Sequence, residues 1–171
     1  ANLDIAVRPG EPGPDGTDVV EFQLAPNPGE GMRPLARIAS GGELARVMLA
    51  LKTVLADADE VPTLIFDEVD AGIGGSMGTV IGRKLHGLGR RSQVISITHL
   101  PQVASFADGH LRVEKVTAGG RTRVQARWLD RAERVAELAR MLGGESQAKA
   151  KGVATTAREH AEALLKEATG V

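Results

Sequence analysis

The chain has 171 residues, of which 42% are hydrophobic, a formal net charge of −1 and no cysteine. This length and apolar share suit one domain, or one large piece of a domain, with a sizeable core. The lack of cysteine excludes disulfides, thiol nucleophiles and zinc clusters with cysteine ligands. The near-neutral charge gives no overall attraction to nucleic acid or anionic lipid. Since no apolar run is long enough to span a bilayer, we expect a soluble, cytoplasmic protein that binds no membrane.

The first part of the chain predicts two strands followed by a helix. The strands are LDIAV and DVVEFQL, separated by the turn-rich segment RPGEPGPDGT, and APNPGEGMRP is a second loop. Apolar residues then recur at the spacing of one buried helix face: Leu44, Val47, Met48, Leu51 and Leu55. We expect this helix to run to about Ala56.

The middle of the chain predicts a strand, a helix and a second strand. PTLIFD and QVISIT are short and apolar without alternation, as expected of fully buried strands. A helical pattern from Met77 to Leu88 joins them, which makes a parallel crossover unit. HLRVEKV and RVQARWL then predict a hairpin, and the tail predicts two helices divided near Gly143 and Gly144. We therefore expect an α/β fold with a mainly parallel sheet flanked by helices, plus an antiparallel hairpin, with Trp128 and the phenylalanines in the core.

Acidic and histidine side chains follow the two buried strands. Asp67 and Glu68 end the first strand, and Thr98 and His99 end the second. The carboxyl ends of parallel strands meet at one sheet edge, where ligands of such sheets bind. An apolar strand ending in Asp-Glu has the form of a Walker B element, in which the aspartate helps to hold magnesium and the glutamate deprotonates an attacking water. His99 could donate a hydrogen bond to a γ-phosphate oxygen in the transition state.

The segment SGGE, at the start of the predicted helix, has two interpretations. Ser40 as N-cap with Glu43 three residues later is a capping box. Gly41 and Gly42 add nothing to a cap, but they remove Cβ atoms where a backbone approaches a ligand, and N–H groups at a helix start favour a phosphate. Spacing alone leaves both interpretations open. The two acids and the histidine at the sheet edge favour the phosphate interpretation.

Several motifs resemble those of the ATP-binding-cassette ATPases. SGGE resembles their signature motif, TLIFDE their Walker B element, and the histidine of SITHLPQVA their switch histidine, in the order of that family. Longer segments are similar to the RecN family of bacterial DNA repair proteins, which are SMC-like ATPases: NPGEGMRPLARIASGGELARVMLALK, FDEVDAGIGG, ITHLPQVASFADGH and ELARMLGG. The resemblance runs from about Glu21 to the end of the chain. The shared motifs alone would fit an ATPase of another branch, whereas the phrase around the histidine and ELARMLGG favour RecN.

The resemblance implies that the chain is the C-terminal lobe of an ATPase head, with ATP and Mg²⁺ as cofactors. Asp67 would assist magnesium, Glu68 would be the catalytic base, and His99 would sense the γ-phosphate. The residues implied to bind ATP held by a second, opposing head of a homodimer are Ser40, Gly41, Gly42 and Glu43. In the loop after Walker B many relatives have an aspartate where this chain has Gly74, so cross-talk between the two sites through that side chain does not carry over.

Some parts of such a head are missing from the sequence. No G-x-x-x-x-G-K-[ST] phosphate cradle occurs, the glycine-rich GIGGSMG has no lysine, and there is no long heptad stretch. We expect an N-terminal lobe with the Walker A cradle, and a coiled coil, upstream in a longer chain or in a separate polypeptide. The resemblance further implies a nucleoid-associated protein that acts in double-strand break repair and recombination. It implies that DNA is bound through the full-length protein.

Two other interpretations compete with an ATPase half-head. The first is a non-catalytic docking or dimerisation module, but a docking surface has no need of Glu68 beside Asp67. The second is a metal cluster of the nuclease or topoisomerase-primase kind, formed when Asp70 joins these two acids. The D-x-x-D spacing, rather than D-x-D, argues against such a cluster.

Overall fold

The computed structural model describes residues 2–25, 27, 29–37, 40–56, 61–118, 120–147 and 151–170. The strands are β1 (Asn2–Gly13), β2 (Gly16–Ala25), β3 (Arg33–Pro34), β4 (Thr63–Phe66), β5 (Gln93–Ser96), β6 (Leu111–Ala118) and β7 (Arg121–Trp128). The helices are α1 (Gly41–Val54), α2 (Gly75–Leu88), α3 (Pro101–Ala104), α4 (Arg131–Gln147) and α5 (Lys151–Thr169). The predicted α/β class is confirmed, with one parallel and two antiparallel strand groups in the described part of the chain.

The N-terminal sheet contains more strand than the sequence predicts. β1 pairs antiparallel with β2 from Asn2↔Ala25 to Pro9↔Asp18, and again at Gly13↔Gly16 after an irregularity. The proline-rich segment predicted as a loop is therefore mostly strand. Because β1 is the edge strand in the order β1-β2-β3, it tolerates prolines that a central strand would not.

A parallel crossover forms the centre of the fold. β4 pairs with β5 from Thr63↔Gln93 to Phe66↔Ser96, and α2 connects them, as the periodicity predicts. One face of this strand pair packs against α1 and α2. The buried residues of this core are Leu49, Phe66, Val69, Ile81, Leu85, Leu88 and Val103.

The other face of the strand pair is uncovered, so the prediction of fully buried strands is wrong. Ile65 is 68% exposed, and Ile95 and Ile97 on the same face are also exposed. The described residues supply helices to only one side of the pair. The apolar sequence of these strands is therefore suited to a second layer that this part of the chain does not provide.

Helix α3 packs closely against α2 through the glycines of α2. A Cβ atom on Gly82 would lie 2.6 Å from Phe106 Cδ2 and 3.0 Å from the backbone oxygen of Gln102. A Cβ atom on Gly78 would lie 3.2 Å from Leu100 Cδ1. The absent side chains thus allow the segment after β5 to lie directly on α2.

The C-terminal half differs from its prediction at two points. The β6–β7 hairpin is confirmed, with Leu111↔Trp128 at one end, but Trp128 is 71% exposed instead of buried. Helix α4 continues through Gly143 and Gly144 to Gln147, so the predicted break at these glycines is wrong. A glycine inside a helix costs only about 1 kcal/mol relative to alanine, which packing elsewhere in the helix can offset.

Charged side chains attach α4 to its neighbours. Arg134 donates hydrogen bonds to backbone oxygens at the end of α3, including that of Ser105 at 3.0 Å. Glu137 is buried and lies 2.7 Å from Arg140 and 3.5 Å from Arg112 of β6. Burial by itself raises the pKa of Glu137, but the hydrogen bonds and charge of Arg140 and the charge of Arg112 outweigh it and bring that pKa below its ordinary value.

Packing of α2 against α3 predicts opposite effects at two glycines of the same helix. Gly82→Ala should lower the free energy of unfolding by about 1–3 kcal/mol, because the new methyl group meets a backbone oxygen that cannot turn away. Gly87→Ala is the matched control, since nothing lies within 4 Å of its Cβ position, and it should raise stability or leave it unchanged. Urea unfolding of both variants measures the difference. Equal stabilities would contradict the close packing.

Candidate functional site

The ends of β4 and β5 place the predicted site residues at one edge of the sheet. Asp67 and Glu68 follow Phe66 directly, and both are exposed. Ile97 continues the pairing by donating its amide hydrogen to the Phe66 oxygen at 2.9 Å, and His99 follows with its side chain 71% exposed. The predicted convergence of two acids and a histidine is therefore present, with all three side chains accessible to a ligand.

Glu68 has a backbone conformation that is rare for a residue other than glycine. Its φ of 56° lies in the left-handed region, which costs about 1–2 kcal/mol for a side chain with a Cβ atom. The chain turns sharply here, with the Ala71 amide donating to the Glu68 oxygen at 3.0 Å. Strain of this kind is concentrated at functional sites, where the surrounding packing maintains it. We refer to residues 67–71 as the 67–71 loop.

The start of α1 has the predicted cap. Ser40 has an extended backbone, and its hydroxyl accepts a hydrogen bond from the Glu43 amide at 3.4 Å. Glu43 also places a carboxylate in the first turn, where the helix dipole favours negative charge. The N-cap part of the capping-box interpretation is confirmed.

The two glycines of SGGE have different environments. Gly42 is buried, and a Cβ atom on it would lie 3.0 Å from both Ala71 Cβ and the Glu68 backbone oxygen. Gly41 is exposed, and its Cβ atom would meet only the end of the Glu68 side chain, 3.1 Å from Oε2. Close approach to the 67–71 loop of the same chain thus explains Gly42, which the sequence alone attributed to a ligand. Gly41 is the glycine that faces outward.

Arg46 also holds the 67–71 loop and was missed in the sequence. Its Nη1 donates to the backbone oxygens of Val69, at 3.3 Å, and Ala71, at 2.9 Å. Arg46 lies one helical turn after Gly42, so both residues lie on the α1 face that contacts the loop. That spacing is the signal from which its role could have been inferred.

Asp70 is the second residue whose role the sequence did not reveal. Its carboxylate is 2% exposed, and Oδ2 accepts hydrogen bonds from the Thr98 hydroxyl and from the amides of His99, at 3.1 Å, and Leu100, at 3.3 Å. The same oxygen lies 3.2 Å from His99 Nδ1. Asp70 therefore binds the segment after β5 and does not face outward beside Asp67 and Glu68.

The described residues contain no group of three or more histidine, cysteine or acidic side chains that could hold a metal ion by themselves. Mg²⁺ is usually held by one or two carboxylates together with waters and substrate phosphates. Asp67, an exposed carboxylate at the end of a strand, fits the role of one such ligand.

Gly74 has space for a side chain. It is the N-cap residue of α2, with φ −92° and ψ 172°, and nothing lies within 4 Å of its Cβ position. The backbone at this position therefore accepts a side chain such as that of aspartate.

Comparison with a solved structure identifies the class of fold. The chain superposes on the Smc head domain with an extended coiled coil from Pyrococcus furiosus with a TM-score of 0.53 and 22% identity, over 81% of this chain and 33% of that one. The superposed part of this chain thus has the fold of part of an Smc head domain. No helix in the described ranges is both long enough and apolar enough to cross a membrane.

Sequence comparison identifies the family. Three relatives are named DNA repair protein RecN. The protein from Streptomyces coelicolor is 52% identical to this chain over 97% of the chain, that from Treponema pallidum 49% over 90%, and that from Bacillus subtilis 43% over 91%. The chain belongs to the RecN family. It spans only 26–28% of the length of these relatives. No family model matches the chain.

The contacts of the two SGGE glycines predict that one is needed for folding and the other is not. Gly42→Ala should destabilise the chain by about 1–3 kcal/mol, because its methyl group meets the backbone of the 67–71 loop. Gly41→Ala should leave the free energy of unfolding nearly unchanged, since only a flexible side chain must move. Denaturant titration of both variants provides the measurement. A Gly42→Ala variant as stable as the unmodified chain would show that the loop does not press on α1.

Proposed function

We propose that this chain is the C-terminal lobe of an SMC-like ATPase head, which hydrolyses ATP once an N-terminal lobe supplies the missing phosphate cradle. The observation that carries the proposal is the pair of exposed carboxylates, Asp67 and Glu68, at the carboxyl end of a parallel strand, with the exposed His99 after the neighbouring strand. The name of the RecN relatives and the head fold support it.

The roles of the three side chains follow from their chemistry. Bound magnesium would neutralise charge on the β- and γ-phosphates. Asp67 would hold the ion as one of its ligands, and Glu68 would take a proton from the attacking water. His99, whose imidazole is open to solvent, would donate a hydrogen bond to a γ-phosphate oxygen.

The start of α1 is suited to ATP held by a second head of a homodimer. Ser40 and Gly41 are exposed at a helix N-terminus, where backbone N–H groups and the helix dipole favour phosphate. Glu43 supports the cap, and Gly42 contributes by letting the helix lie on the 67–71 loop. Each site would then be composite, and ATP binding would draw two heads together.

An apolar surface supports the presence of a second lobe. Ile65, Ile95 and Ile97 are exposed on one face of the strand pair. Beside them, a groove of about 340 Å³ runs between α1 and β4, where Leu44 and Met48 are also exposed. Burial of such a surface contributes roughly 25 cal/mol per Å². We assign this face to the N-terminal lobe that carries the Walker A cradle.

The cellular role is proposed from the family. In a RecN protein, ATP-driven head dimerisation would control how the full-length molecule tethers DNA at double-strand breaks during recombinational repair. Such a protein would act in the cytoplasm, associated with the nucleoid. In this proposal the described lobe supplies the ATP chemistry, and DNA is bound through the full-length protein.

Glu68→Gln tests the proposed base. In the chain combined with a lobe that carries the phosphate cradle, turnover of ATP should fall by about 10²–10⁴-fold, because the amide cannot accept a proton. ATP binding should persist, and ATP-bound dimers should accumulate in size-exclusion chromatography. Glu159→Gln, at an exposed position of α5, is the matched control and should turn over normally. Unchanged turnover in Glu68→Gln would falsify the assignment of the base.

A further inference from the structure

Three hydrogen bonds from the start of the segment after β5 converge on one buried oxygen atom. Asp70 Oδ2 accepts hydrogen bonds from the Thr98 hydroxyl and from the amides of His99 and Leu100. The Thr98 hydroxyl also accepts from the Leu100 amide at 3.0 Å. Hydrogen bonds to a charged acceptor are stronger than neutral ones, and several converging on one atom fix the backbone that donates them.

The imidazole of His99 lies beside the same oxygen. Its Nδ1 lies 3.2 Å from Asp70 Oδ2, while the side chain as a whole is 71% exposed. Because the two nitrogens lie on different sides of the ring, a bond from Nδ1 to the buried carboxylate leaves Nε2 directed away from Asp70. The partner of one ring nitrogen determines which nitrogen carries the proton.

A side chain of α1 binds the backbone on either side of Asp70. Arg46 binds the backbone oxygens of Val69 and Ala71, the two neighbours of Asp70 in the chain. Glu68, two residues before Asp70, belongs to the same loop. Helix α1, the candidate base Glu68 and His99 are thus joined through a few contiguous contacts.

We propose that Asp70 is a positioning residue, which holds the His99 ring by its Nδ1–H so that Nε2 faces the γ-phosphate. Nε2 can donate to a γ-phosphate oxygen only from the imidazolium form, which carries a proton on each ring nitrogen. The inference rests on the proposed ATPase function, and it adds a residue that the motifs themselves do not assign. Asp70 touches no substrate in this role. It acts through His99 and through the backbone of residues 98–100.

The tautomer of His99 tests the pairing without any ATPase activity. Long-range ¹H–¹⁵N correlation spectra of the imidazoles, with His99 assigned through a His99→Gln variant, should show neutral His99 with its proton on Nδ1. Asp70→Asn retains an oxygen that can accept the bond and should keep this tautomer. Asp70→Ala should lose it. An Asp70→Ala spectrum with the same His99 tautomer as the unmodified chain would overturn the proposal.

Thr98→Val provides a second variant in case Asp70→Ala does not fold. Valine keeps the shape of threonine but cannot donate to Asp70, so one of the carboxylate's bonds is removed while its bond to His99 stays available. This variant should retain the Nδ1–H tautomer. Loss of that tautomer in Thr98→Val would contradict direct control by Asp70.

The catalytic consequence is measured in the chain combined with the cradle-bearing lobe. Asp70→Ala should lower kcat at least about 10-fold, as for other groups that orient a reacting side chain, with KM for ATP nearly unchanged. Asp70→Asn should recover part of the loss. A changed tautomer with normal kcat would overturn the positioning role. If the unmodified assembly turns over no ATP, the proposed function fails, and the spectra still decide the Asp70–His99 pairing.

Discussion

The arrangement of the site depends on the 67–71 loop. The loop begins at the end of β4 and turns sharply at Glu68, which has a positive φ. It is then bound by α1 and by the segment after β5. From α1, Gly42 allows close contact and Arg46 binds two backbone oxygens. From the segment after β5, a hydroxyl and two amides bind the buried carboxylate of Asp70. A strained conformation persists only where its surroundings enforce it, and these contacts supply that enforcement.

One consequence is that the three motifs of this chain are not independent. The SGGE segment and His99 are far apart in sequence, but both contact the 67–71 loop, which contains Asp67 and Glu68. A substitution at the start of α1 can therefore alter the position of Glu68. A substitution in the loop can likewise alter the position of His99. In the proposed ATPase head, binding of ATP at one surface must affect chemistry at another, and contiguous packed contacts provide a physical route for such coupling.

The sequence predicted the parts of the fold that depend on local patterns. Periodicity located α1, α2 and the crossover strands, and cap chemistry located the start of α1 at Ser40. It could not predict the buried position of Asp70, because that depends on donors about thirty residues away. Nor could it distinguish Gly41 from Gly42, since only the packed loop separates an outward glycine from an inward one. Apolar composition predicted buried strands, but burial of Ile65 requires a layer that the described chain does not supply.

The most direct test of this account is ATP turnover by the chain alone and after mixing with a lobe that carries a G-x-x-x-x-G-K-[ST] cradle. The chain alone should hydrolyse no ATP, because it lacks the main phosphate-binding loop. Activity should appear only in the mixture. In the mixture, the face formed by Ile65, Ile95 and Ile97 should also become less accessible to solvent. A mixture that stays inactive, although the second lobe is folded and bound to this chain, would contradict the half-site account and favour a non-catalytic docking module.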